Sequence, residues 1–420
     1  MSDDAGRGGA MGDDGLRELP RPPRRVPPGA ESGTTRTRTA IEARPGRPQQ
    51  SRPPARPPRA WYLLPLLLAV LLAGAGTGWL VRERADRFDL GEIRDEAGPA
   101  VVRVRASSCS GTGLATGLLI DDTRVLTMGS VLTGPVSVAI ETADGRVRPV
   151  RVDGIDKAGV AKLEVLGDPL GIRPVPLAET TPADGLDVPV LGYVDGRQDI
   201  DLYGITPGGG ADLAGITSRL PPDAAGSPVL DRQGRAIGLL TQPSATGTRA
   251  VGLDVLREFK SGSRRVDFAP RPEDCTEAKG PQAPVVPVLD GPNGEQAEEA
   301  QRLLGDYLTA LNRHDEERVH DLFTGYLEED DGQSIANLTK RYRMQYTFGA
   351  VIRNVQEEEN GARVQMTHTS LKQPTPDTGN LYCLRYDIAY DLDRVDGELR
   401  IANVAPARTN ERSWRPCTTD

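Results

Sequence analysis

The chain has 420 residues, enough for two domains and more, since single cores stop growing near about 250 residues. Its formal net charge is −9 although its N-terminal arm is basic, so the remainder is more acidic than the whole. Such a surface repels phosphate backbones, which argues against nucleic-acid binding by the folded part.

Residues 1–60 are rich in Pro, Gly and Arg and nearly free of large apolar side chains, so they read as a disordered Pro/Arg-rich cytoplasmic arm. The uncharged run "WYLLPLLLAVLLAGAGTGWLV" (61–81) has the length of a transmembrane helix. Arginines in "RPPARPPRA" before it place the N-terminus inside and everything after Arg82 outside, as a single-pass cell-membrane protein. A cleaved signal peptide competes with this reading, but a leader of sixty residues is too long for that class. The basic arm suits anionic headgroups, a partner that reads PxxP segments, or simply a solvated tether that sets topology.

All four cysteines, Cys109, Cys275, Cys383 and Cys417, fall on the outer side, where disulfides persist. Four cysteines allow three connectivities; if each module closes on itself, Cys109 pairs with Cys275 and Cys383 with Cys417.

From 90 to 259 the chain predicts many short strands: "AVVRVRASS", "GLATGLLID", "RVLTMGSVL", "VSVAIET", "VRPVRVDGI", "DVPVLGYV" and "AIGLLT", with a closing helix at "LDVLREF". Residues 260–294 are punctuated by Pro, Gly, Asp and Ser and read as a linker. In 295–410 the period changes. Ala300, Leu303, Leu304, Tyr307, Leu308 and Leu311 share one helical face, and a second helix begins at Asp315 with Val319, Leu322, Phe323 and Tyr326 as its buried stripe. Strands follow at "YTFGAVIRNV", "GARVQMTHTSL", "LYCLRYDIAYDL" and "ELRIANVAP", the last two joined by a "VDGE" hairpin turn. Helices followed by an antiparallel sheet give a small α+β domain, with Tyr307, Phe323, Tyr326, Tyr346 and Phe348 expected inside it.

This order, with "YLTALNRHDEERVHDLF", resembles the cone-shaped nuclear-transport-factor-like or SnoaL-like superfamily, which holds both enzymes and binding modules. Residues 92–258 resemble bacterial trypsin-like proteases of the HtrA type, which implies an all-β double barrel of the chymotrypsin-like fold. "GTGLATGLLI", "VLTMGSVL", "DKAGVAKLEV" and "DAAGSPVLDRQGRAIGL" occur in that family's order. Carried across, the family's histidine falls on Ser130, its aspartate on Gly159 and its serine on Ala225. The three histidines, His314, His320 and His368, all lie in the C-terminal module, so no Ser-His-Asp triad forms within the protease-like region in any register. Ser227 and Asp156 lie near the expected nucleophile and acid without a base between them, and a dyad with Lys157 or Lys162 has no sequence signal for a lowered pKa.

No cofactor is implied. His314 and His320 are six apart with no HExxH pattern, and the acidic run 327–334 lacks the spacing of a calcium loop. The resemblance therefore implies no catalysis and a membrane-anchored pseudoprotease that binds an unidentified envelope protein or peptide. Its alternatives are a protease with a non-standard dyad, chemistry around His368 or His320, and an envelope sensor or scaffold. The Arg, Ala, Gly and Pro bias suits an actinobacterial source.

Overall fold

The computed structural model describes residues 89–418, except 110, 112, 133, 182–186, 205–211, 217–219, 242–247, 268–274, 325–339 and 409–411. The arm at 1–60, the apolar run at 61–81, Tyr326 and the acidic run 327–334 lie outside the described residues. Among the described residues no helix is long and apolar enough to cross a membrane.

A helix that the sequence reading missed, α1 (Leu90–Ala97), opens the described chain: Asp89 accepts the Glu92 amide at 3.0 Å as its N-cap, and Ile93 and Ala97, four apart, are its buried side. Six strands then close a barrel: β1 (Val101–Ser108), β2 (Leu114–Leu119), β3 (Arg124–Met128), β4 (Pro135–Glu141), β5 (Val147–Ile155) and β6 (Val160–Val165), in the order β1-β2-β3-β6-β5-β4. Closure leaves no unpaired edge. Its interior is Val, Leu and Ile, with Leu119, Ile140 and Leu163 fully buried.

A second six-stranded sheet is formed by β7 (Asp187–Val194), β8 (Arg197–Gly204), β9 (Asp212–Ile216), β10 (Pro228–Leu230), β11 (Ala236–Leu240) and β12 (Thr248–Gly252), in the order β8-β7-β10-β11-β12-β9. Helix α2 (Leu253–Ser261) follows and buries Val255, Leu256 and Phe259.

The segment 260–294, expected to be a linker, leads from α2 to the C-terminal elements as a strap whose described residues are fastened to the barrel at several points. Asp267 and Ile155 exchange backbone bonds at 2.7 and 2.8 Å, Lys279 and Ser108 exchange bonds at 2.8 and 2.9 Å, and Cys275 is disulfide-bonded to Cys109. Its far end forms β13 (Val288–Leu289), parallel to the C-terminal sheet.

Helix α3 (Glu295–Arg313) buries the whole predicted stripe from Ala300 to Leu311. Asp315 caps α4 (Glu316–Asp321), accepting the Arg318 amide at 3.0 Å. Strands β14 (Gln345–Glu358), β15 (Gly361–Lys372), β16 (Cys383–Val395) and β17 (Glu398–Pro406) form an antiparallel meander, and β18 (Trp414–Pro416) pairs with β16. The hairpin turn lies where it was expected, with Asp396 and Gly397 at φ 54° and 90°. The second disulfide joins Cys383 to Cys417.

Tyr346 and Phe348 do not join the aromatic interior. One extra residue on β14 at Gly349–Ala350 shifts the register between Phe348 and Val351, so the two sides of the bulge face opposite ways. Ala350 and Ile352 pack toward α3 with Tyr307 and Tyr390, whereas Tyr346 and Phe348 pack on the barrel with Ala139, Val147, Leu371, Cys383 and Cys417. Arg105 of β1 completes this junction. It pairs with Glu141 at 2.8 Å, its guanidinium lies 4.4 Å from the centre of the Phe348 ring, and it reaches the Tyr346 hydroxyl at 3.5 Å.

His368 of β15 is buried against Tyr386, ring centroids 5.2 Å apart, and its Nδ1 has no hydrogen-bond partner. Burial alone pushes its pKa down to about 4.

Two measurements follow from this packing. Arg105→Ala leaves a half-buried Glu141 without its cation and is expected to lower the unfolding free energy by about 2–3 kcal/mol, with the C-terminal sheet separating from the barrel as a distinct transition in denaturant titrations. His368 is neutral in the folded protein while the unfolded chain takes up its proton below about pH 6.5. Stability is therefore complete above that pH and falls as pH drops toward 4. His368→Phe should remove a contribution of the order of 3 kcal/mol from the stability difference between about pH 7 and pH 4, read by urea unfolding at each pH.

Candidate functional site

The loop 221–227 leads into β10. A 3-10 turn at Pro222–Ala224 starts it, the Ser227 amide donates to the Ala224 carbonyl at 3.0 Å, and Asp223 through Leu230 are all buried. Thr116 on β2 holds the loop from the neighbouring barrel. Its amide donates to the Ala225 carbonyl at 2.9 Å, its Oγ1 donates to the Asp223 carbonyl at 3.0 Å, and the same Oγ1 accepts the Tyr193 amide at 2.9 Å. Thr127 Oγ1 donates to the Thr116 carbonyl at 2.6 Å.

Gly226 is required where it stands. Its φ is 85°, and a Cβ would come within 2.2 Å of the Thr116 carbonyl oxygen. The loop is thus a strut between the two sheet systems.

Ala225, which the resemblance puts at the nucleophile position, has no exposed surface and belongs to the main apolar cluster. Ser227 is equally buried, and its Oγ sits against Gly192, where a Cβ would be 1.9 Å away, and finds no hydrogen-bond partner. Ser130 is exposed in the 3-10 turn after β3. Gly159 lies beside that turn, its carbonyl accepting the Gly129 amide at 2.7 Å. The segments carrying Ser130 and Gly159 are therefore neighbours, as the family pattern requires.

The other sequence candidates are occupied. Asp156 accepts the Ala158 and Val160 amides at 3.0 and 2.7 Å, and its other oxygen pairs with Arg264 at 2.5 Å. Lys162 pairs with Asp153 at 2.8 Å, Lys157 is exposed, and neither bonds Ser227. His314 ends α3 as a left-handed C-cap with its ring against Glu277, and His320 is exposed beside Asp321 at 3.9 Å. Among the described residues no three His, Cys, Asp or Glu side chains converge as metal ligands would.

A half-buried charged group was not foreseen. Arg103 of β1 has its Nε buried without a partner, and burial and then Arg105 depress its pKa. It lies over Gly196 and faces Glu141, Tyr346 and Asp223. Burial raises the Asp223 carboxyl, opposed by Arg103, and pushes the Tyr193 phenol up to about 12. Arg103 and Arg105, two apart on β1, share the barrel's outer face, and the cover over that face comes from elements distant in sequence.

Chemically, this arrangement holds backbone and packs methyl groups, and Ser227 Oγ within it has no hydrogen-bond partner. Residues 115–239, from β2 to β11, match the family model of the trypsin-like peptidase domain. None of the curated proteins matches the sequence. Among solved structures the chain is similar to the serine endoprotease from Yersinia pestis, at 19% identity and a TM-score of 0.38, covering 42% of this chain and 69% of that one. It is also similar to the Rv3671c protease from M. tuberculosis in its active form, at 21% identity and a TM-score of 0.36, covering 42% of this chain and 85% of that one. The match to the trypsin-like peptidase domain thus takes in barrel strands β2 to β6 and the 221–227 loop, and the trypsin-like family is the one that residues 115–239 of this chain are similar to.

Proposed function

We propose that the chain is a membrane-anchored, extracytoplasmic trypsin-like protein without peptidase activity, which serves as a binding module for a peptide or protein of the cell envelope. The observation that carries this reading is the full burial of Ala225 in a loop that Thr116 holds as a strut. Hydrolysis by the trypsin route needs a hydroxyl that the substrate can reach, a base within hydrogen-bond distance and a group to orient that base. Position 225 supplies none of these.

The two disulfides fit an oxidising compartment, and the apolar run 61–81 supplies the anchor. The nuclear-transport-factor-like reading of the C-terminal module adds a second binding unit. For peptide capture, β8 ends the order of the second sheet, with alternating exposed residues along Arg197–Gly204, and a strand can add to such an edge by main-chain bonds.

A fluorophosphonate probe incubated with the full chain is expected to label no serine, and a peptide library to stay intact; labelling at Ser227 or any other serine would overturn the reading. A stricter test is the triple substitution Ser130→His, Gly159→Asp and Ala225→Ser. It should remain unlabelled, because the new hydroxyl falls in a fully buried position. A labelled triple variant would mean that the loop opens in solution and that side-chain identity alone silences the site.

A further inference from the structure

The last strand, β18, is held on β16 by the Cys383–Cys417 disulfide and by the bond from the Cys417 amide to the Cys383 carbonyl at 3.2 Å. Two positions along, this pairing sets Arg385 directly opposite Arg415, and next to them Tyr386 opposite Trp414. Like charges directly opposed on an antiparallel pair destabilise it. Here a disulfide fixes the strand that makes them face each other.

The two arginines line a cavity of about 440 Å³ together with Arg408, Arg412, Asp387 and Trp414. Among the described lining residues four guanidinium groups stand against one carboxylate, a surplus of three positive charges in a chain whose net charge is −9. Asp387 is itself engaged, its Oδ1 accepting the Gln365 amide at 2.9 Å. The Arg412 guanidinium lies 5.3 Å from the centre of the Trp414 ring. Arg385 and Arg408 each hold an interaction within the protein, so what marks the site is the surplus charge of its wall rather than a free guanidinium. Arg408, Arg412 and Arg415 are exposed, which leaves the cavity open to solvent.

We propose that this cavity is a binding site for a small, multiply charged anion, a molecule with two or more phosphate or carboxylate groups. Planar guanidinium forks match the geometry of both groups with paired hydrogen bonds. The volume lies within the roughly 300–1,000 Å³ of small-ligand sites, well above what one inorganic ion needs. An anion between Arg385 and Arg415 also converts their repulsion into two attractions. The site shares no residue with the 221–227 loop, and it stands or falls separately from the pseudoprotease reading.

Trp414 gives the test its signal. The full chain is titrated with inorganic triphosphate and with citrate at constant ionic strength, sodium chloride serving as the balance, while tryptophan emission is followed. A saturable change that disappears in Trp414→Phe is expected for at least one anion. Triphosphate alone assigns a phosphate ligand, citrate alone a polycarboxylate, and both support the class. Arg385→Gln with Arg415→Gln should weaken binding by about tenfold or more, whereas Arg353→Gln on β14 should leave it unchanged. Without anion, Arg415→Gln should melt no lower than the parent protein, because it removes a like-charge opposition, and Arg412→Gln at an exposed position should weaken binding without affecting the fold. A response that follows only ionic strength, equal titration in the double variant, or a lower melting temperature of Arg415→Gln would overturn the proposal.

Discussion

The guanidinium of Arg105 is where the barrel and the C-terminal sheet meet. A closed barrel satisfies its backbone bonds internally, and the outward side chains of its strands would ordinarily stand in water. On β1 they do not. Arg105 is buried and Arg103 half-buried, and a covered cation needs compensation, which Glu141 supplies to Arg105 from the adjacent strand while the Phe348 ring lies over its guanidinium from the C-terminal sheet. Arg103 has no such ring and keeps a buried Nε unpaired beside the raised carboxyl of Asp223. The Arg105 contacts hold the C-terminal sheet in one orientation on the barrel, and the strap confirms that orientation from the other side, where Gly280 lies flat on Tyr346 so closely that a Cβ would fall 2.1 Å from the ring. The C-terminal module is accordingly built onto the barrel, and the two share an apolar cluster with both sulfur atoms of the second disulfide at its edge.

Much of this was legible from residue order because local signals agreed with the final packing. The Val-rich runs became β1 to β5, β7 and β11, the stripe from Ala300 to Leu311 became the buried face of α3, and Asp396-Gly397 turned the last hairpin. Both disulfides follow the pairing in which each cysteine bonds the next in sequence. What escaped lacked apolar alternation or depended on distant chain. Strand β8, "RQDIDLYG", reads as polar turn sequence because much of it is exposed. The strap has no periodicity at all, since its bonds are backbone pairings with residues distant in sequence, such as Ile155, Ser108 and Arg343. The bulge that turns Tyr346 and Phe348 away from Tyr307 inserts one residue, and a one-residue shift reverses every side chain beyond it. Of the candidate site, the identities at 130, 159 and 225 could be read from the sequence, but the burial of the loop could not, because it depends on Thr116 more than a hundred residues earlier.

The interior that Tyr346 and Phe348 leave is correspondingly tight. Tyr307 meets Phe323 and Tyr390 edge to face at 5.6 and 6.0 Å, and Tyr342 hydrogen-bonds Tyr307. Burial raises the pKa of each of these phenols and lowers that of His368, so at neutral pH the group carries no charge. Alternate residues on β16 point to opposite sides, so Arg385 and Asp387 of the arginine-lined cavity face away from Ile388, Tyr390 and Leu392 of the apolar interior, while Tyr386, which packs on that interior, borders both.

The alanine at 225 and the strut formed by its loop belong to one physical arrangement. The Thr116 bonds draw the loop backbone against β2, and position 225 then falls inside the main apolar cluster, where a methyl group fills space and a hydroxyl without an acceptor would cost about 1–3 kcal/mol. Ser227 already carries a cost of that kind, tolerated where Gly192 leaves room for its Oγ and little else. A nucleophile demands the reverse arrangement, with its oxygen clear of the core and a base beside it. In this chain the Asp223 and Ala225 carbonyls both accept from Thr116 across the junction between the two sheets, while the Gly226 amide and Ser227 carbonyl bond Leu240 of β11, so the loop backbone is fastened on both sides.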